Sequence, residues 1–187
     1  ALDASILSIW SSTPNGGYTV GATINVTISF SEFVTLNGTL SVSLDTGAFI
    51  DIGAFAHATK AVGVYTVQAG DTSLDLDSVG ITLSGTMSDA VVNGCVVVLP
   101  AITIATNNNI IIDTTPPFIT SIQSTNPDGY YHTGQSIGVI ISFSEPVTLA
   151  AGTLSMNLTS GGTVLFGPFS GTSASGVYTI LLGENTP

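Results

Sequence analysis

The sequence predicts an all-β protein of two successive sandwich domains, the second short of its last strands. Three observations predict this. Apolar and polar residues alternate with period two along several stretches, and no stretch carries the period of a helix. Clusters of Gly, Pro, Asn and Asp part these stretches, as in TPNGG, LDTG, QAGD and TNNN. One long segment also occurs twice.

The repeat sets the domain boundaries. SIWSSTPNGGYTVGATINVTISFSEFVTL, from Ser8, aligns with SIQSTNPDGYYHTGQSIGVIISFSEPVTL, from Ser121, 113 positions on. Pro14, Gly16, Tyr18, Gly21, Ile24, Ile28, Phe30 and Glu32 meet Pro127, Gly129, Tyr131, Gly134, Ile137, Ile141, Phe143 and Glu145. After a one-residue slip GTLSV at Gly38 meets GTLSM at Gly152, and GVYTV at Gly63 meets GVYTI at Gly176.

In the first domain, residues 1–112, seven strands fit at 5–12, 22–31, 38–44, 48–56, 61–68, 79–84 and 95–112, the last with a break. Ile24, Val26, Ile28 and Phe30 alternate with Asn25, Thr27 and Ser29, which places one row inward and the other outward. Leu40, Val42 and Leu44 do the same with Ser41 and Ser43. Residues 113–117 read as a linker, because Pro116 and Pro117 favour an extended segment. The second domain, 118–187, matches the first only as far as GVYTILLGEN, and nothing in it answers to the residues after Thr72. A sandwich without those strands exposes a sheet edge and part of its core. Two explanations stand: the chain is part of a longer repeat protein, or a neighbouring subunit donates the strands.

Composition excludes several functions. Only 7% of the residues are charged, Lys60 is the single cation, and the net charge is −11. A nucleic-acid binder needs many lysines and arginines to displace counterions, and an anionic membrane surface needs the same. No apolar run reaches the length of a membrane span, and no basic region follows Ala1, so neither a span nor a signal peptide is expected. Cys95, in CVVVL, reads as a small buried hydrophobe.

The acids gather at the domain poles. Tracing the strands up and down puts Asp3, Glu32, Asp89 and Asn93 at one end of the first domain, with Glu32 in a loop between strands. Asp71, Asp75 and Asp77 lie at the other end, where Asp45 and Asp51 flank a turn. The linker Asp113 and Glu145 of the second domain fall at the junction. Two carboxylates 4 Å apart repel by about 4 kcal/mol at an effective dielectric of about 20. A hard cation with oxygen ligands relieves this. The expectation is Ca²⁺ at the junction, held by Asp113, Glu145 and some of Asp71, Asp75 and Asp77, and a second site of Asp3, Glu32, Asp89 and Asn93. The other reading is solvated loop acids, since turns favour Asp for conformational reasons. No EF-hand spacing occurs.

VTISFSEFVTLNGTLSVSL, YTVQAGDTSLDLD, IDTTPP and FSEPV resemble the Ig-like repeats of very large bacterial surface proteins and adhesins. Those repeats carry a D-T-T-x-P linker, an F-S-E-P-V strand end and a Y-x-V-x-x-G-D-x-S-x-D-L-D segment. The resemblance implies two tandem Ig-like β-sandwich domains in an extracellular stalk stiffened by Ca²⁺, with Asp113, Glu145 and Glu32 at metal-binding positions. The chain departs from the pattern: SDAVVNG replaces a D-x-x-G-N loop, Phe33 replaces a proline, the second domain lacks the D-x-x-G-N loop, and Lys and Arg are nearly absent.

No catalytic constellation stands out, and no enzyme is expected. The two histidines, His57 and His132, read as exposed loop or strand residues. There is no G-x-S-x-G elbow, P-loop or zinc spacing. The leading expectation is a structural module whose partners are neighbouring Ig-like domains or identical subunits. The alternative is a carbohydrate-binding module that stacks sugars on Trp10, Tyr18, Tyr130 or Tyr131.

Overall fold

The computed structural model describes residues 3–91 and 93–184. The described residues are all-β apart from one helical turn, and the chain forms two compact units, Ala1–Thr115 and Pro116–Pro187.

The first unit comprises β1 (Ile6–Ser11), β2 (Gly16–Tyr18), β3 (Thr23–Leu44), β4 (Phe49–Ile52), β5 (Phe55–Thr66), β6 (Thr72–Ser73), β7 (Ser78–Asp89), α1 (Ile104–Asn107) and β8 (Ile110–Asp113). Strand β3 organises it. Its first half runs antiparallel between β1 and β5, and its second half between β7 and β4. The sequence suggested two strands here, 22–31 and 38–44, joined by a loop. The chain instead stays extended, with register shifts against β5 between Ser29 and Leu36. The reason is that partners flank the bend on both sides: Val34 pairs with both Ala58 and Asp89, and Leu36 with both Phe55 and Met87. Its backbone groups need no turn to satisfy them. Glu32 therefore sits in a strand at the bend, not in a loop.

The inward row of β3 (Ile24, Val26 and Ile28, then Leu40, Val42 and Leu44) is buried, as the alternation requires. Gly38 and Gly85 face each other across β3 and β7, both with positive φ (135° and 104°). A Cβ on Gly38 would lie 2.0 Å from the Ser84 carbonyl oxygen, so only glycine lets the two backbones approach.

The end of the unit departs most from expectation. The segment after β7 touches β1 through parallel bridges, Ser5 to Val96 and Ser8 to Ile102. It then makes the turn α1, which buries Ile104 and is fixed by the Thr103 N–H donating to Thr106 Oγ1 at 3.1 Å. Four residues are too few to show a helical period. Strand β8 follows, parallel to β2 and antiparallel to β6, with Asp113 paired to Thr72. Asp113 is thus the last residue of a strand, not part of a linker. Thr114 is held too: its Oγ1 accepts from Gly70 N–H and donates to the Asp71 carbonyl.

The second unit is one sheet, in the order β11 (Leu154–Asn157), β12 (Thr163–Phe166), β13 (Phe169–Thr179), β10 (Ser136–Leu149), β9 (Ile119–Ser124). Glu145, like Glu32, lies within a continuous strand at a register shift, here between Ser142 and Val147. The core is small: Val139, Ile141, Val164, Phe166, Ala174 and Tyr178. Among the described residues nothing corresponds to β6, β7, α1 or β8.

Gly38→Ala should lower the thermal midpoint of the first unit by the equivalent of about 2 kcal/mol, several degrees for a domain of this size. Gly17→Ala, where a Cβ meets nothing within 4 Å, should stay within about 0.5 kcal/mol. Equal melting of the two variants would show that the close backbone approach is absent.

Candidate functional site

Several acids, among them Asp71, Asp77, Asp89 and Asp113, anchor loops. In the first unit the Tyr65 hydroxyl donates to Asp71 Oδ2 at 2.6 Å, and the Gln68 N–H donates to the same oxygen at 2.8 Å. In the second, the Tyr178 hydroxyl donates to Glu184 Oε2 at 2.6 Å and the Leu181 N–H at 2.7 Å. Every position is 113 residues from its counterpart. Burial pushes the Tyr65 phenol up to about 12, helped by its hydrogen bond to Asp71 and by the negative charges of Asp71 and Asp45. Tyr178 is raised chiefly by its bond to Glu184, and that hydroxyl, with Leu181 N–H, holds Glu184 below the usual carboxylate range.

Other loop bonds repeat in the same way. The Tyr18 hydroxyl reaches the Pro14 carbonyl, and Tyr131 that of Pro127, both at 2.7 Å. Gly21 N–H donates to the Val67 carbonyl, and Gly134 N–H to that of Ile180, both at 2.9 Å. Ser31 Oγ accepts from Ser5 N–H at 2.9 Å, and Ser144 Oγ from Phe118 N–H at 3.0 Å.

The remaining candidates divide between the two ends of the first unit. At one end Asp89 is buried, and its Oδ1 accepts from Val91 and Asn93 N–H while Oδ2 accepts from the Asn93 amide. Partial desolvation alone would raise its carboxyl, but these bonds outweigh it and hold it below the ordinary value. The bond of Ser31 to Ser5 and the pairing of Val34 with Asp89 bring half-buried Glu32 and exposed Asp3 to this end. Burial, then the charge of Glu32, raises the half-buried Cys95 thiol.

At the other end Asp45 accepts from Ser73 Oγ at 2.6 Å and from Asp77 N–H at 3.1 Å. Asp77 in turn accepts from Ser78 and Ala105 N–H. Asp75 is exposed. Asp113 accepts from Thr115 N–H at 3.0 Å and pairs with Thr72 across β6 and β8. Asp51 is away from the turn, in β4, bonded to the Ser41 hydroxyl. Glu145 belongs to the second unit and is half-buried. Among the described residues no group of three or more His, Cys, Asp or Glu is placed to hold a metal ion.

The aromatics expected to bind sugars separate. Tyr131 is tied into its turn, whereas Tyr130 is 98% exposed. Trp10 lies in β1, its indole N–H 3.3 Å from Ser29 Oγ and Lys60 Nζ 5.7 Å from its ring centroid. His57 and Phe33 stack 4.2 Å apart on an exposed face, a contact between strands that sequence reading missed. The role of Glu184 was missed as well, although Y-T-I-L-L-G-E against Y-T-V-Q-A-G-D carried the signal.

Compared with protein-family models and with curated proteins, the chain matches none. Among the described residues no helix is long and apolar enough to cross a membrane.

A raised phenol stabilises the fold fully below the unfolded value of about 10, and that contribution is lost as pH rises through the folded value. Ultraviolet titration should therefore show a tyrosine phase near 12, which Asp71→Asn moves toward 10. An unmoved phase would rule out the pairing.

A depressed carboxyl works the other way, stabilising above the ordinary Asp range and losing that contribution as pH falls through its folded value. Asp89→Ala should melt earlier than the parent at pH 7, with the gap closing on acidification below about 4.

Proposed function

We propose that the chain is a structural module of an extracellular surface protein or filament, a stalk of tandem Ig-like domains supporting adhesion or fibre formation. The supporting observation is the position-by-position repetition of loop-fixing hydrogen bonds: Tyr65–Asp71 with Tyr178–Glu184, and Tyr18–Pro14 with Tyr131–Pro127. What the chain repeats is scaffold, the property a spacer needs from every copy. With Lys60 as its single Lys or Arg, the chain also offers trypsin-like proteases one cleavage point.

A carbohydrate-binding module is the second reading, favoured by the exposure of Tyr130. Small-angle scattering and a glycan array separate the two. The stalk reading expects an elongated profile and no saccharide hits. A compact profile with hits that vanish in Tyr130→Ala would replace it.

Calcium belongs to this proposal as a stiffening ligand. It is supported by the charge of −11 and by the number of acids at one end of the first unit, Asp45, Asp71, Asp75, Asp77 and Asp113. It would use the lone pairs left over from the loop bonds. A ligand at 100 times its Kd raises stability by about 2.7 kcal/mol. Melting in chelator and then in excess Ca²⁺ should show a rise of that order. An unchanged midpoint removes calcium and leaves the stalk reading in place.

A further inference from the structure

One face of the first unit departs from the repeat. On the outer side of β1, β3 and β5, Thr27 pairs with Trp10 on one side and with Val62 on the other. Asn25 pairs with Val64, and Ser29 with Lys60. Directly paired residues point to the same side of a sheet, so these side chains form one surface. Val62 and Val64 are 60% and 54% exposed, and Lys60 Nζ lies 5.7 Å from the Trp10 ring centroid. At the matching positions the second unit has Gln123 for Trp10, Gly138 for Asn25, Ile140 for Thr27, Ser175 for Val62 and Ser173 for Lys60. Val64 recurs as Val177. The face is thus more apolar in the first unit than in the second.

That apolar face also holds Asn25-Val26-Thr27, the acceptor pattern for an N-linked saccharide. Its counterpart, Gly138-Val139-Ile140, has lost the pattern along with the apolar neighbours. Asn25 is exposed, and its backbone is fixed from β1: the N–H donates to Thr13 Oγ1 at 2.9 Å, and the carbonyl accepts from Ser11 Oγ at 2.7 Å. The same pattern begins at Asn37 and at Asn157, and there the neighbours are polar. Asn37 pairs with Thr86, and Thr39 with Ser84. Asn157 pairs with Thr163, whose hydroxyl donates to Asn157 Oδ1 at 3.2 Å.

We propose that Asn25 is a site of N-linked glycosylation and that its first sugar covers Val64, Val62 and Trp10. The C–H face of a pyranose packs on exposed aliphatic and aromatic side chains, while its hydroxyls turn to water. Exposed apolar surface is thereby withdrawn from solvent. In the transfer, Asn25 Nδ2 attacks the anomeric carbon of a lipid diphosphate-linked sugar of the secretory route. The N–C bond forms, the anomeric C–O bond breaks, and the diphosphate leaves with the electron pair. The amide proton passes to the transferase. Thr27, the third residue of the pattern, is 5% exposed in the folded unit, so transfer precedes the folding of β3. The inference rests on the extracellular part of the reading above, and not on the stalk or on calcium.

The test secretes the full chain from a glycosylating host, with chain retained in the cytosol as the unmodified control. Glycopeptide mass spectrometry should find a saccharide on Asn25. Asn25→Gln and Thr27→Val should each abolish it, and Thr27→Ser should keep it. Relative to the glycosylated parent, Asn25→Gln should bind a hydrophobic dye ~2-fold more strongly, and its first unit should melt several degrees lower. Trimming the glycan to its first sugar should change neither reading, and neither should Asn37→Gln or Asn157→Gln. An unmodified Asn25 in the secreted chain overturns the proposal. So does a saccharide whose loss changes neither dye binding nor melting. A compact scattering profile would remove the stalk reading and leave this site standing.

Discussion

Burial of the aliphatic row along β3 is the constraint on which the rest of the first unit depends. Each fully buried Val, Leu or Ile contributes about 1.5–3 kcal/mol, and this row is the largest such source in one element. A strand of 22 residues cannot lie flat in one small sheet. It bends at Glu32–Leu36, gives its first half to β1 and β5, and gives its second half to β7 and β4. The two halves then enclose one core. The facing pair Gly38 and Gly85, the closure by β8 and the placement of the loops all follow from that path.

A chain with one lysine and no arginine has almost no ion pairs with which to fix its loops. It uses the acids differently. Asp71, Asp77 and Asp89 each accept two or more bonds from backbone N–H groups or from neutral hydroxyl and amide groups. A bond to a charged acceptor stabilises more than a neutral one, about 1.5–3 kcal/mol against about 1. Asp71 and Glu184 show the geometry to be robust, since a side chain one carbon longer reaches the same pair of donors in the second unit.

The two units are a natural comparison of one scaffold with and without its cover. Strands β1 and β9 have the same relation to their long neighbours, β3 and β10, yet the isoleucines of one are buried and those of the other are half in water. The backbone ladder alone is enough to set the register. It does not bury the apolar face, which requires a second layer.

Sequence alone determined the all-β class, the inward rows of the strands and the correspondence of positions 113 apart, because alternation and glycine-rich turns are local properties. Only the tertiary structure decided that β3 continues through the bend, that Asp113 closes a strand, and that Asp71 and Asp89 accept bonds from the backbone of their own loops. It alone showed the turn at Ile104, too short to register as a period. The physical reason is that a backbone group or a carboxylate takes whichever partner the fold brings within about 3 Å, and those partners come from segments up to about a hundred residues away.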